Sequence, residues 1–307
     1  MHITKLTTLD GFVVIDLPEA PASTGIVRCA RKILQDGAVN LARSLTYSYA
    51  SFGLPVSGAS AAVNAEGEAR DPAVAGFVVE VGPLAGERHL WLSAGKGVGA
   101  DEIAALAAGD PRTVPADTDR LLAVGVVAAV RAAMSELGGL TVGVESTGPA
   151  AQAIADAFTA AGATASVTLA PELLAGGSPG SDVIVVGSKP GVVDHEVAAR
   201  LSTRCIVGSG PLPLTARGLA VARRQGAIVL PDFVSTAGPL LAAWPDALPG
   251  VDGSDPDAIA AAVAARIDTA IGALAEHPEG HFLAACYAAE EFLGTWADAL
   301  PFGRPLA

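Results

Sequence analysis

Apolar positions fall into two regimes along the 307-residue chain. In the first, short runs stand at Gly11–Leu17 (GFVVIDL), Gly76–Val81 (GFVVEV) and His89–Leu92 (HLWL), the first two rich in β-branched residues, and each predicts a strand. Between them, Ile26–Ser51 sets Ile33, Leu34, Ala38, Leu41 and Leu45 at helical spacing. That helix is expected to stop before GLPVSGAS (Gly53–Ser60), since Gly, Pro and Ser favour turns.

From Thr118 the pattern becomes a regular alternation. A helix over Asp119–Leu137 leads to a strand at Leu140–Val144, then a turn and a helix at Ala150–Ala161. Strands are expected at Ala165–Leu169, Asp182–Val186 (after a Gly/Ser/Pro loop), Cys205–Val207 and Ala227–Leu230. Gly238-Pro239 reads as a turn, and Asp255–Ala275 and His281–Leu293 as helices. Strands made almost wholly of Val, Ile and Leu are buried on both faces, as in a parallel sheet covered by helices. The expected fold is α/β. An N-terminal α/β domain (1–117) precedes a doubly wound, Rossmann-type domain (118–280), and a C-terminal segment (281–307) packs back on the first.

Composition narrows the class. Nineteen Lys and Arg stand against 32 Asp and Glu, a formal charge of -13, so there is no basic stripe for a nucleic-acid backbone or an anionic membrane. Mean hydropathy is +0.46, yet the longest apolar run, Leu121–Met134, carries Arg131 and is too short to span a bilayer. The N-terminus MHITKLTTLDGF lacks the pattern of a signal peptide. Cys29, Cys205 and Cys286 show no pairing or metal spacing, which suits a reducing cytoplasm. Asp194-His195-Glu196 opens a helix, where adjacent residues face different ways, and Pro278 and Gly280 separate His277 from His281. No metal site is expected.

The strand–turn–helix at LTVGV, Glu145-Ser-Thr-Gly-Pro149 and AAQAIADAF has the context of a dinucleotide site, where glycines let the backbone approach a pyrophosphate at a helix N-terminus. Ser146, Thr147, Gly148, Pro149, Ala150 and Ala151 are its candidate residues. Against the pattern G-x-G-x-x-G/A, Ser146 replaces the first Gly, Gly148 fills the second place and Ala151 satisfies the third. Pro149 suits a first helical turn but has no N–H to donate. The acid expected at the end of the next strand is Leu169, with no Arg or Lys nearby for a 2′-phosphate. A βαβ turn that binds nothing accounts for the same residues.

Four segments, in order, resemble the Glu/Leu/Phe/Val amino-acid dehydrogenase family, and most of all its shorter leucine and phenylalanine members. They are ARSLTYSYASFGLPVSGASAAV (Ala42–Val63), the turn at Thr141–Ala151, SDVIVVGSKPGVVDHEVAARL (Ser181–Leu201), and VGSGPLPL (Val207–Leu214) with LPDFVSTAGP (Leu230–Pro239). The resemblance implies a substrate domain and a nucleotide domain with a cleft between them. It implies oxidative deamination of an amino acid with NAD or NADP, and assembly into dimers or larger homo-oligomers. Family members use one Lys for the substrate carboxylate, a second Lys to activate water, and an Asp to move protons at the amine.

This chain departs from the family at those positions. Ser48 stands at the carboxylate Lys (LTYS for M-T-x-K) and Ser60 at the catalytic Lys (SGAS for G-G-G-K). SAGKGVG offers Lys96 or Gly97 where the Asp belongs, and Pro211 and Thr236 replace two asparagines. A neutral hydroxyl neither balances a carboxylate nor serves as the same base, so ordinary deamination is not expected. Three readings stay open: a redox enzyme with changed chemistry on an amino-acid- or imine-like molecule, a non-catalytic subunit, and an NAD(P)-independent enzyme or binder. In the first, Lys96 is the candidate catalytic group, a solvated loop lysine being its structural alternative. Tyr47, Ser48, Ser57 and Ser60 line the substrate pocket, with Lys189, Ser209 and Asp232 on the second domain. NAD or NADP is the implied cofactor, retained or lost. The implied partners are a small molecule in the cleft and further copies of the chain.

Overall fold

The computed structural model describes residues 1–175 and 180–298. Positions 176–179 of the expected Gly/Ser/Pro loop and 299–307 of the expected C-terminal segment lie outside it. Two compact units divide the chain: Met1–Pro111 together with the chain from Ala289, and Arg112–Ala288.

The first unit is built on a mixed five-stranded sheet. Its strands are β1 (His2–Lys5), β2 (Gly11–Ile15), β3 (Ala22–Ala30), β4 (Val56–Asn64) and β5 (Leu90–Ala94), in the order β1-β2-β4-β3-β5. β1 and β4 run antiparallel to β2, while β3 is parallel to both β4 and β5. Helix α1 (Gln35–Ala50) covers one face, packing Ala38 and Ala42 on Phe12, Val14 and Ala62. Helix α2 (Arg70–Glu87) covers the other, where Val74, Phe77, Val81 and Ala85 meet Val27, Cys29, Ala59, Ala61 and Val63.

Three expectations fail here. GFVVEV is not a strand but the middle of α2. Val74, Phe77, Val81 and Ala85 recur at helical spacing on the core face, while Val79 points outward at 79% exposure. Gly53–Ser60 is not a loop throughout, since from Val56 it forms the central strand β4. The small residues there are packing devices. A Cβ on Gly58 would lie 1.9 Å from the Ala42 carbonyl oxygen, so glycine lets α1 close onto the sheet. Ile26–Ala30 belongs to strand β3 rather than to the helix, because its backbone pairs on both sides, with β4 and with β5.

The second unit carries an all-parallel sheet. Its strands are β6 (Thr141–Glu145), β7 (Thr164–Thr168), β8 (Val183–Val186), β9 (Cys205–Gly208) and β10 (Ile228–Val229), in the order β10-β9-β8-β6-β7. Helices α3 (Thr118–Met134), α4 (Pro149–Ala160) and α5 (Ala170–Leu173) precede or follow its first strands. α6 (His195–Arg200) and α7 (Ala216–Arg224) join the later ones. Beyond β10 come α8 (Asp232–Ser235), α9 (Gly238–Ala243), α10 (Pro256–Gly272) and α11 (Gly280–Leu293), which runs into the first unit's segment. Gly238-Pro239 opens α9 instead of forming a simple turn. Proline suits a first helical position, and a Cβ on Gly238 would meet the Leu121 carbonyl oxygen at 2.1 Å. The chain leaves β6 toward β7 and then crosses back to β8, so the topological switch point lies at the carboxyl ends of β6 and β8. Among the described residues, no helix is long and apolar enough to cross a membrane.

Candidate functional site

In the first unit, most hydroxyls singled out in the sequence are already engaged by the fold. Tyr47 is fully buried on α1 and donates to Glu290 Oε1 at 2.6 Å. Ser48 donates to the Ser44 carbonyl one turn back, at 3.2 Å. Ser57, at the start of β4, accepts from the Leu17 N–H at 2.8 Å. These bonds hold a helix, a strand and a connecting loop in place.

Ser60 differs. Fully buried on β4, it accepts from Arg28 Nη2 at 3.1 Å. Parallel pairing puts Ile26 of β3 opposite both Ser60 of β4 and Ser93 of β5. Alternation therefore sets Thr24, Ile26 and Arg28 on the same face as Gly58, Ser60 and Ser93. α1 lies over β4 and β2 on this face, reaching β3 through the 2.8 Å bond between Tyr49 and Thr24. Ile26 is 38% exposed and Arg28 half-buried. Lys96 lies in the exposed turn after β5, and its carbonyl accepts from the Cys29 N–H at 2.9 Å.

In the second unit, polar groups gather at the carboxyl ends of the strands. The turn Ser146–Pro149 is largely exposed between β6 and α4. Gly148 has φ 98° and ψ -160°, a region open essentially to glycine, and a Cβ there would meet nothing within 4 Å. Pro149 opens α4, and Ala151 is buried beneath it. Glu145, the last residue of β6, is fully buried. Its Oε2 accepts from the Gly187 and Ser188 N–H groups at 2.8 and 3.0 Å, and its Oε1 from the Ser188 hydroxyl. It thus ties the β8 end to the β6 end across the switch point.

Next along this edge, a Cβ on Gly187 would lie 2.6 Å from Ser209 Oγ, which is buried and has no hydrogen-bond partner among the described residues. Asp232 abuts Gly208 and accepts from the Leu212 N–H at 2.8 Å. Burial pushes its carboxyl up to about 6, against the backbone N–H groups that lower it. Lys189 is exposed just beyond Ser188. Leu169, where a ribose-binding acid was sought, is 60% exposed. Asp194 caps α6, accepting from the Glu196 and Val197 N–H groups, as an acid opening a helix does.

The chain matches L-tryptophan dehydrogenase from Nostoc punctiforme with a TM-score of 0.71 and 17% identity, over 96% of each chain. It matches the hetero-hexameric glutamate dehydrogenase of Thermus thermophilus (Leu-bound form) with a TM-score of 0.75 and 20% identity, over 95% of this chain and 88% of that one. The glutamate dehydrogenase of Peptoniphilus asaccharolyticus gives 0.72 and 14%, over 96% and 91%. The fold is that of the amino-acid dehydrogenases. No family model and no curated protein matches the chain.

Within this amino-acid dehydrogenase fold, two residues stand at these strand ends to which sequence patterning assigns no role. Arg28 sat in a stretch read as the start of a helix, where a lone Arg carries no signal. On a strand, its alternation with Ile26 and Thr24 gives it a face. Glu145 was visible as an acid closing an otherwise apolar strand, one residue before the glycine turn. That place is buried whenever the strand is central, so its carboxylate had to find donors.

Proposed function

We propose that this protein is a divergent, NAD(P)-linked oxidoreductase of the amino-acid dehydrogenase fold, acting on an amino-acid- or imine-like small molecule without lysine-assisted deamination. The observation that carries the reading is the β6–α4 turn: an exposed, glycine-permitted backbone at the switch point of a parallel sheet, opening a helix. That turn fits a pyrophosphate sterically, and the helix N-terminus favours its charge. Bound there, the nicotinamide cofactor would supply hydride transfer. Gly148 gives the close approach, and Ala150 leads the N–H groups of α4's first turn past Pro149, which has none to offer.

Departure from ordinary deamination is supported by the hydroxyls. Tyr47, Ser48 and Ser57 serve the fold, and Ser60 accepts from an arginine, so none stands as a lysine-like base. Lys96, exposed in the turn after β5, is the remaining candidate proton carrier of the first unit, and Lys189, Ser209 and Asp232 are the polar candidates at the second unit's own strand ends. Titration of the purified chain with NADH and NADPH, followed by fluorescence, tests the reading. Micromolar binding of either supports it, and absence of binding at millimolar concentration overturns it. Glu145 favours a second reading, an NAD(P)-independent protein, because a buried carboxylate one residue before the turn works against a pyrophosphate. The same titration separates the two.

A further inference from the structure

The second unit holds a cavity of about 340 Å³ beside β10, the edge strand of its parallel sheet. Ala133 of α3, Ala227 and Ile228 at β10, and Phe282 of α11 give it apolar walls, while Arg223 of α7 and His281 of α11 supply its polar groups. That size falls at the lower end of the roughly 300–1,000 Å³ of small-molecule sites. α3 ends at Met134 and leads to the amino end of β6, and Ala227 immediately precedes β10. The cavity therefore lies toward the amino ends of the strands, whereas the glycine turn and Asp232 follow their carboxyl ends.

Its polar groups are short of partners. His281 Nε2 is buried and has no hydrogen-bond partner among the described residues. Burial holds the ring below the ordinary histidine value, so the neutral form prevails at pH 7. Arg223 and Arg224, in the last turn of α7, have no ion pair and no side-chain hydrogen bond among the described residues. Both line an open groove of about 550 Å³ together with Ala220, and Arg223 lines the deeper cavity as well, so the two spaces meet at its side chain. There the guanidinium lies against α11: a Cβ on Gly280 would stand 3.6 Å from Arg223 Nε and 3.9 Å from Nη2. Among the described residues no acid lines either space. Glu276 and Glu279 adjoin the lining residues Ala275 and Gly280 in sequence, and Glu279 is taken up by the Tyr287 hydroxyl at 2.6 Å.

We propose that this groove and cavity bind a small organic phosphate monoester, with the phosphate at Arg223 and Arg224 and an apolar body lying inward against Phe282. Two guanidinium groups offset a phosphate dianion, where a carboxylate would leave one of them unmatched. The orphaned ring nitrogen of His281, when it carries the proton, donates to a phosphate oxygen. The N-terminal end of α11 adds to the preference for negative charge. Ala133, Ile228 and Phe282 take the body out of water, which separates an ester from free phosphate. This is an accessory site, independent of the proposed oxidoreductase chemistry at the opposite ends of the strands.

The test is calorimetric titration of the full chain with phenyl phosphate, inorganic phosphate and benzoate as probes. Phenyl phosphate is expected to bind with a Kd at or below about 1 mM, and the other two at least roughly tenfold more weakly. Arg223→Met removes the charge common to both spaces and should weaken phenyl phosphate by roughly 30-fold or more. Arg223→Lys, which keeps the charge but not the fork, should lose about tenfold and serves if the methionine variant does not fold. Arg224 is exposed, so Arg224→Met should lose only about threefold. His281→Phe keeps a ring but not the nitrogen and should lose roughly three- to tenfold. Saturating NADH should leave the affinity unchanged. No binding of phenyl phosphate, equal binding of inorganic phosphate (an adventitious ion only), equal binding of benzoate, or wild-type affinity in both Arg223 variants each overturns the proposal. Displacement by NADH overturns it too, by moving the phosphate to the turn at Gly148. Because the titration of phenyl phosphate needs no nucleotide, its failure is separate from a failed NADH titration.

Discussion

The carboxyl ends of β3 and β5 in the first unit and of β6 and β8 in the second are comparable places in two parallel pairings, and their charges are opposite. At the first stands Arg28, a cation with one neutral acceptor and an orphaned N–H. At the second stands Glu145, an anion with two backbone N–H groups and a hydroxyl already directed at it. Strand ends in α/β sheets collect ligands because loops leave backbone and side chains there without regular partners. The difference teaches that position alone does not decide what binds. An unsatisfied donor calls for an incoming acceptor, whereas a saturated carboxylate calls for none and repels one.

The strongest way to sharpen the comparison is to give Arg43 the condition of Arg28. Asp16→Ala removes the carboxylate from a pair whose side chains are both essentially excluded from water. A buried charge stripped of its partner costs about 3–5 kcal/mol, so urea unfolding should show a loss of that size. If Arg43 tolerates the change at under about 1 kcal/mol, burial of an arginine without an anion is cheap in this unit.

Asp232 tests the second unit through pH. Its carboxyl is pushed up to about 6 from an ordinary value of 3.8 because burial penalises the charged form. The folded chain thus holds this proton more tightly than the unfolded chain. Stability from this group is full below pH 4, falls as pH rises toward 6, and is level above. A rise from 3.8 to about 6 is worth about 3 kcal/mol. Asp232→Asn keeps an oxygen for the Leu212 N–H and should flatten unfolding free energy between pH 4 and 6 relative to wild type. An unchanged slope would show that Asp232 is not the group responsible.

A smaller effect is expected at the switch point. Glu145→Gln keeps an acceptor for one of the loop N–H groups and removes the negative charge one residue before the glycine turn. If a pyrophosphate binds there, NADH affinity should rise roughly fivefold, about 1 kcal/mol of relieved repulsion between partly screened charges. A fall in affinity would mean that the carboxylate's hold on Gly187 and Ser188 shapes the turn, and that this outweighs its charge.

How much of this was legible in the sequence differs between the units for a physical reason. In the second, strands such as VIVV and CIVG are buried on both faces and bounded by turns, so hydrophobicity marks them without ambiguity. The β6 turn announced itself through Gly148 and Pro149. In the first, the central strand β4 reads VSGASAAVN, whose small residues exist to let helices approach and therefore imitate a loop. The opposite error arose in α2, where β-branched residues overlay a helical stripe and local propensity yielded to tertiary packing. The fold was recovered through the resemblance of four segments. The Arg28–Ser60 contact was not, because its partners lie 32 residues apart and meet only once β3 and β4 pair in parallel.

The finest test separates two serines that the sequence treats alike. Ser48 and Ser60 both stand where the resemblance expects a lysine, and both are buried. Ser48 donates to a carbonyl within its own helix, a bond that adds little there and that an alanine does without, since alanine has the better helix propensity. Ser48→Ala should therefore shift stability by no more than about 0.5 kcal/mol. Ser60→Ala takes the acceptor from Arg28, so it should cost roughly 1 kcal/mol in urea unfolding. Equal losses from both variants would show that the bond to Arg28 adds nothing beyond what a bond within a helix does. Unequal losses, with Ser60 the larger, would show that the strand serine holds β3 to β4 through Arg28 while α1 does without its own hydroxyl.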